Sequence, residues 1–83
     1  MGKYEKLLAR ILEARSDANI SFDELCQLLR RMGFDERSSG SHHIFRKAGI
    51  EERVVLQRDG NKSKAYQVRQ VRAVILKYSL GSE

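Results

Sequence analysis

The chain has no proline and no tryptophan, a single cysteine, and no run of apolar residues approaching the eighteen or more that a membrane-spanning helix needs. One cysteine excludes an internal disulfide and a zinc site built on cysteines. Without an apolar span or a signal-like start, the chain is expected to be a cytoplasmic protein with no membrane partner. Without proline, no helix can open on the residue best suited to its first turn. Length is short too: 83 residues allow one domain, 1–83, with a core small enough that a partner would help stabilise it.

What the chain does have is an uneven positive charge. The net charge is +5. Residues 1–39 carry equal numbers of basic and acidic side chains. Residues 40–83 carry Arg46, Lys47, Arg53, Arg58, Lys62, Lys64, Arg69, Arg72 and Lys77 against Glu51, Glu52, Asp59 and Glu83, which supplies the whole excess. A basic half beside a neutral half is the usual footprint of a polyanion partner, most often nucleic acid.

The hydrophobic periodicity sets the order of elements. Tyr4, Leu7, Leu8, Ile11 and Leu12 recur at helical spacing within residues 3–15. Ser16-Asp17-Ala18-Asn19 breaks that pattern. Ser21 and Glu24 form a capping box, with Ile20 and Leu25 as a hydrophobic staple, and open a second helix whose buried stripe is Phe22, Leu25, Cys26, Leu29 and Met32. Gly33 is its expected stop. Cys26 lies on the stripe and reads as a small core residue. Three short strands follow, at residues 34–37, 41–47 and 52–58, separated by turns at Ser38-Ser39-Gly40 and Ala48-Gly49-Ile50 and closed by Asp59-Gly60-Asn61. Short turns make the strands an antiparallel meander. A last helix over 64–80 carries Val68, Val71, Ile75 and Tyr78 on one stripe, with Arg69, Arg72 and Lys77 outward; Gly81-Ser82-Glu83 reads as a frayed end. The expected fold class is α+β, in the order α-α-β-β-β-α, with a three-stranded antiparallel sheet covered by helices on one face and open on the other.

The two histidines of the chain, His42 and His43, open the second strand after a Gly-Ser step. Alternation puts Ser41, His43, Phe45 and Lys47 on one face and His42, Ile44 and Arg46 on the other. Phe45 is the larger apolar residue and is expected to face the helices, although Ile44 could equally claim the core. The first choice sets His43 near the core edge and His42 on the open face. Adjacent histidines on a strand diverge, and no carboxylate sits at useful spacing with them, so neither a metal nor another cofactor is expected.

The Gly33-Phe34 step, then Gly40-Ser41-His42-His43-Ile44-Phe45-Arg46, then Tyr66-Gln67-Val68-Arg69-Gln70-Val71 resemble the HicA toxins of bacterial toxin–antitoxin pairs. The resemblance covers about residues 20–80 and leaves the first helix as an addition. It implies a double-stranded-RNA-binding-domain-like fold and a metal-independent ribonuclease (an mRNA interferase) that cuts mRNA and is silenced by a HicB-type antitoxin. It also implies that the catalytic histidine is the one directly after Gly-Ser, here His42. Two departures stand out. Leu56-Gln57-Arg58-Asp59 replaces the Pro-x-His segment many members carry after the third strand, so no second histidine can be assigned there. Ala65 stands where a proline would suit the last helix.

RNA brings its own nucleophile, the 2′-hydroxyl, so a protein that moves one proton and neutralises phosphate charge can cut it without a metal. His42 is the candidate general acid or base. Arg46 on the same strand face, with Ser41, Lys47 and Arg53, are the candidate RNA- and phosphate-binding residues. Two other functions fit the same surface: a module that grips RNA without cutting it, and a protein whose basic face meets an acidic partner. The first helix could pack on the core or mediate a homodimer.

Overall fold

The computed structural model describes residues 2–15 and 17–80, so Ser16 and the expectation for the last three residues lie outside the described residues. The first amphipathic segment forms α1 (Lys3–Glu13), which buries Leu7 and Ile11. It ends two residues earlier than the sequence pattern suggests, because Ala14 turns left-handed at φ 60°. A single turn of 3-10 helix, Asp17–Asn19, leads to α2 (Phe22–Arg31).

Both ends of α2 are written in its sequence. Ser21 Oγ accepts the Glu24 backbone N–H at 3.3 Å, half of the capping box. The Glu24 carboxylate, the other half, pairs instead with Lys3 Nζ at 3.0 Å and ties α1 to α2. At the far end Gly33 adopts φ 98°, Gly33 N–H donates to the Arg30 carbonyl, and Phe34 N–H donates to that of Leu29. This is the Schellman arrangement, sealed by buried Leu29 and Phe34. The left-handed φ is what favours glycine here; an added Cβ would also lie 2.6 Å from Lys47 Nζ, but that flexible amine can swing aside.

The sheet has four antiparallel strands in sequential order: β1 (Asp35–Ser39), β2 (His42–Arg46), β3 (Val54–Asp59) and β4 (Lys62–Ser63). Two differences from the expected meander have one cause. The β1–β2 and β3–β4 hairpins each have a two-residue loop with glycine first and at positive φ, Gly40-Ser41 and Gly60-Asn61. The tight first loop extends β1 through Ser38 and Ser39, which pair with His43 and His42 rather than forming a turn. The tight second loop turns the chain back beside β3, which makes the fourth strand. Beyond β4, Ser63 N–H donates to the Ile20 carbonyl and Phe22 N–H to that of Asn61, so the entry to α2 covers this sheet edge. Past Ser63 the pairing role passes to a side chain: Gln57 N–H of β3 donates to Oε1 of buried Gln67 at 3.0 Å.

The last helix, α3 (Ala65–Lys77), buries Gln67, Val68, Val71, Val74 and Ile75. These join Phe45, Val54 and Leu56 from the sheet and Phe22, Leu25, Cys26, Leu28 and Leu29 from α2 in one core. Full burial of a Phe or Leu contributes about 1.5–3 kcal/mol, and Phe45, Val54 and Leu56 are wholly inaccessible, which decides the sheet's inward face. Burial pushes the Cys26 thiol up to about 11, so it serves as core filling. Arg72 corrects one expectation. It does not face outward: its guanidinium grips Asp17 through both carboxylate oxygens, at 2.9 and 3.2 Å, and donates to the Ile11 carbonyl at 3.1 Å. These contacts tie α3 to the end of α1 and to the 3-10 turn. Among the described residues, no helix is long and apolar enough to cross a membrane.

Candidate active site on the open sheet face

Because Phe45, Val54 and Leu56 point to the helices, the alternate residues of β1, β2 and β3 form the open face. The register arranges them in rows. Ser39, His42 and Gln57 make the first, Arg37, Ile44 and Val55 the second, and Asp35 and Arg46 the third, with Arg53 just before β3 beside it. His42 therefore shares the open face with Ile44 and Arg46. It is exposed, and among the described residues no hydrogen bond or ion pair engages its side chain.

His43 has the opposite surroundings. Its Nδ1 lies 2.8 Å from Glu36 Oε2, and its ring packs edge-on against Phe22 with centroids 5.0 Å apart. Glu36 Oε1 also accepts from Arg30 at 2.6–2.7 Å. Partial burial pushes the Glu36 carboxyl up, but the hydrogen bonds and charges of His43 and Arg30 together outweigh it and leave it below its ordinary 4.5. Arg58 lies over the other part of Phe22, 4.5 Å from the ring centre, and pairs with Asp23 at 2.6 Å.

The candidate phosphate contacts divide by place. Arg46 and Arg53, with Asp35, Arg37 and Ile44, line an open depression of about 490 Å³. Arg37, Arg46 and Arg53 form no ion pair among the described residues, whereas Arg30, Arg58 and Arg72 each hold a carboxylate. Arg46 stands four residues beyond His42, about 13 Å along an extended strand at ~3.3 Å per residue. Lys47 is not brought to this face, since its amine lies against Gly33 at the end of α2. Ser41 sits in the hairpin loop before His42, and its Oγ accepts from Gln57 Nε2 at 3.3 Å.

Sequence reasoning passed over two residues beside His42. Gln57 faces it directly across the β2–β3 pair, and Lys64 Nζ donates to Gln57 Oε1 at 3.2 Å. The signal was the two-residue Gly60-Asn61 loop, which folds Lys64 back beside Gln57. Among the described residues, no group of three or more His, Cys, Asp or Glu is placed to hold a metal ion.

Three helices on one face of an antiparallel sheet, with a basic open face, define an α+β domain of the double-stranded-RNA-binding-domain-like kind. Within that class, the family model described as the HicA toxin of bacterial toxin–antitoxin matches residues 22–78, most of the chain and every element except α1 and the 3-10 turn. The protein belongs to the HicA toxin family, the toxin side of a toxin–antitoxin pair, which implies an antitoxin partner. Neither the curated proteins nor the solved structures give a significant match.

Proposed function

We propose that the chain is a metal-independent endoribonuclease that cuts mRNA, with His42 as general acid–base, silenced by a HicB-type antitoxin that covers the His42 face. One observation carries this reading: an exposed, unpartnered histidine shares a sheet face with unpaired Arg37, Arg46 and Arg53, in a fold that pairs Arg30, Arg58 and Arg72 with carboxylates. Unpaired cations on one face attract a polyanion, and an unengaged imidazole can exchange a proton with it near neutral pH.

The reaction follows from RNA's own chemistry. His42 takes the proton of the 2′-hydroxyl, the 2′-oxygen bonds to the adjacent phosphorus, and the bond from phosphorus to the 5′-oxygen breaks. The leaving 5′-oxygen takes a proton from water, and His42 returns its own proton to the hydroxide that remains, so one proton leaves and one returns. The products are a 2′,3′-cyclic phosphate and a 5′-hydroxyl. Arg46, Arg53 and Arg37 hold the flanking backbone, and Ser41 shapes the loop that presents His42.

The test is cleavage of a structured mRNA by purified protein in EDTA, beside His42→Ala. Cutting by the wild type alone, with cyclic phosphate ends, supports the proposal. Binding without cutting by either protein would make the chain an RNA-binding module. Equal cutting by both would remove His42 from the mechanism.

A further inference from the structure

Resting on that reading of His42, we infer that Lys64 is a second catalytic group, which neutralises the charge that develops on the scissile phosphate, and that Gln57 is its positioning residue. Directly opposed residues of an antiparallel pair have Cβ atoms about 5 Å apart, and Gln57 is directly opposite His42. On the far side of β3, Arg58 pairs with Ser63, so the next residue of the chain, Lys64, comes beside Gln57. The first row of the open face therefore runs Ser39, His42, Gln57, Lys64 across four neighbouring segments.

The contacts within this row give Gln57 a single orientation. Its Nε2 donates to Ser41 Oγ at 3.3 Å and its Oε1 accepts from Lys64 Nζ at 3.2 Å, so one amide straps the residue before His42 to the ammonium. The backbone of Lys64 is equally constrained. It is the extended N-cap of α3, and its carbonyl accepts from Gln67 and Val68 N–H at 3.0 and 3.1 Å. Among the described residues the ammonium has no carboxylate partner, unlike those of Lys3 and Lys77, which pair with Glu24 and Glu52. With one N–H on Gln57, it has two left for a ligand.

Distance separates the work of Lys64 from that of the arginines. Arg46 is about 13 Å along β2 from His42, at ~3.3 Å per residue, and fits a neighbouring phosphate better than the one whose 2′-hydroxyl His42 deprotonates. Arg58 is closer in sequence to Gln57, but its guanidinium lies over Phe22 on the helical side. As the 2′-oxygen attacks, negative charge builds on the non-bridging oxygens, and a pre-placed ammonium stabilises that charge more than the ground state.

The experiment separates rate from binding. Cleavage of an RNA oligonucleotide is measured under saturation for Lys64→Ala, Lys64→Arg, Gln57→Leu, Arg46→Ala and, as a charge-matched control, Lys62→Ala, whose native amine contacts only Asn19. Binding is measured on the same oligonucleotide with 2′-deoxyribose at the cut. Lys64→Ala is expected to lower kcat by about 10²–10³-fold, with binding of the deoxy substrate no weaker than for Lys62→Ala. Lys64→Arg should recover part of the rate, Gln57→Leu should lower kcat less than Lys64→Ala, and Arg46→Ala should raise KM. Lys64→Gln, which removes the charge but can still hydrogen-bond Gln57, carries the same prediction if Lys64→Ala lowers the thermal midpoint. A Lys64→Ala rate equal to that of Lys62→Ala, in a preparation where His42→Ala is inactive, overturns this inference alone. So does a loss confined to KM. A wild type that does not cut overturns the proposed function and this inference together.

Discussion

His43 is held through Nδ1 by Glu36 and packed edge-on against Phe22, while His42, its neighbour in the chain, is exposed with no partner among the described residues. The same side chain has two environments because a strand sends successive residues to opposite faces. On the helical side, polar groups are engaged one against another: Arg30 with Glu36, Glu36 with His43, Arg58 with Asp23, Arg72 with Asp17. On the open side, Arg37, Arg46 and Arg53 have no such partners among the described residues. One face of the sheet packs into the core, and the other carries the groups that the proposed function assigns to RNA.

The sharpest way to break this comparison is to exchange the two histidines' effects. His42→Ala should lower RNA cleavage by about 10²–10⁴-fold with an unchanged thermal midpoint. If its midpoint falls as far as that of His43→Ala, the two faces are not separate in function. Next in size is the core beneath His43. Phe22→Ala should cost about 3–5 kcal/mol of unfolding free energy, read from denaturant midpoints at constant slope. A cost below 1 kcal/mol would mean the ring is not the support that its burial suggests.

The half-buried pair of Arg72 and Asp17 comes third. Arg72→Ala strands a carboxylate and removes a bond to the Ile11 carbonyl, for an expected loss of about 1–3 kcal/mol. Arg46→Ala, on the open face, should leave stability within about 0.5 kcal/mol. Comparable losses at the two arginines would erase the distinction between them.

The smallest effect is a dependence on acid. The Lys77 hydrogen bond, then that of Tyr78, hold the Glu52 carboxyl down at about 2, and Glu36 is also held below its ordinary 4.5. Both carboxyls are lowered on folding, so the stability they contribute is complete above about 4.5 and is lost as pH falls through the folded values. Urea midpoints measured from pH 5 down to 2 should decline, and the combined Glu36→Gln, Glu52→Gln variant should decline less steeply. An unchanged slope in that variant would show that other carboxylates set the acid limb.

Much of this arrangement is legible in the sequence where a single residue suffices to set the geometry. Ser21 caps α2, Gly33 ends it, and the greater size of Phe45 sends His43 inward and His42 outward. What escapes the sequence depends on register or on distance. Two residues, Lys62 and Ser63, are too few to show a period, so β4 becomes visible only through its pairing with β3. Ser38 and Ser39 have side chains that suit a turn, but the Gly40-Ser41 loop carries the strand through them. Arg72 meets Asp17 across most of the chain's length, and no local pattern announces that pair. The row from His42 to Lys64 likewise needs two hairpins to be in register before it exists.

The freedom of His42 also has a genetic consequence. An exposed side chain such as that of His42 can, on the proposed reading, be lost by one base change while the protein still folds and still presents the surface its antitoxin would cover. On the proposed reading, such a change turns a poison into a harmless decoy that occupies the antidote. Populations carrying this gene would then meet two kinds of loss: misfolded copies, cleared by proteolysis, and intact, silent ones that continue to titrate the antitoxin.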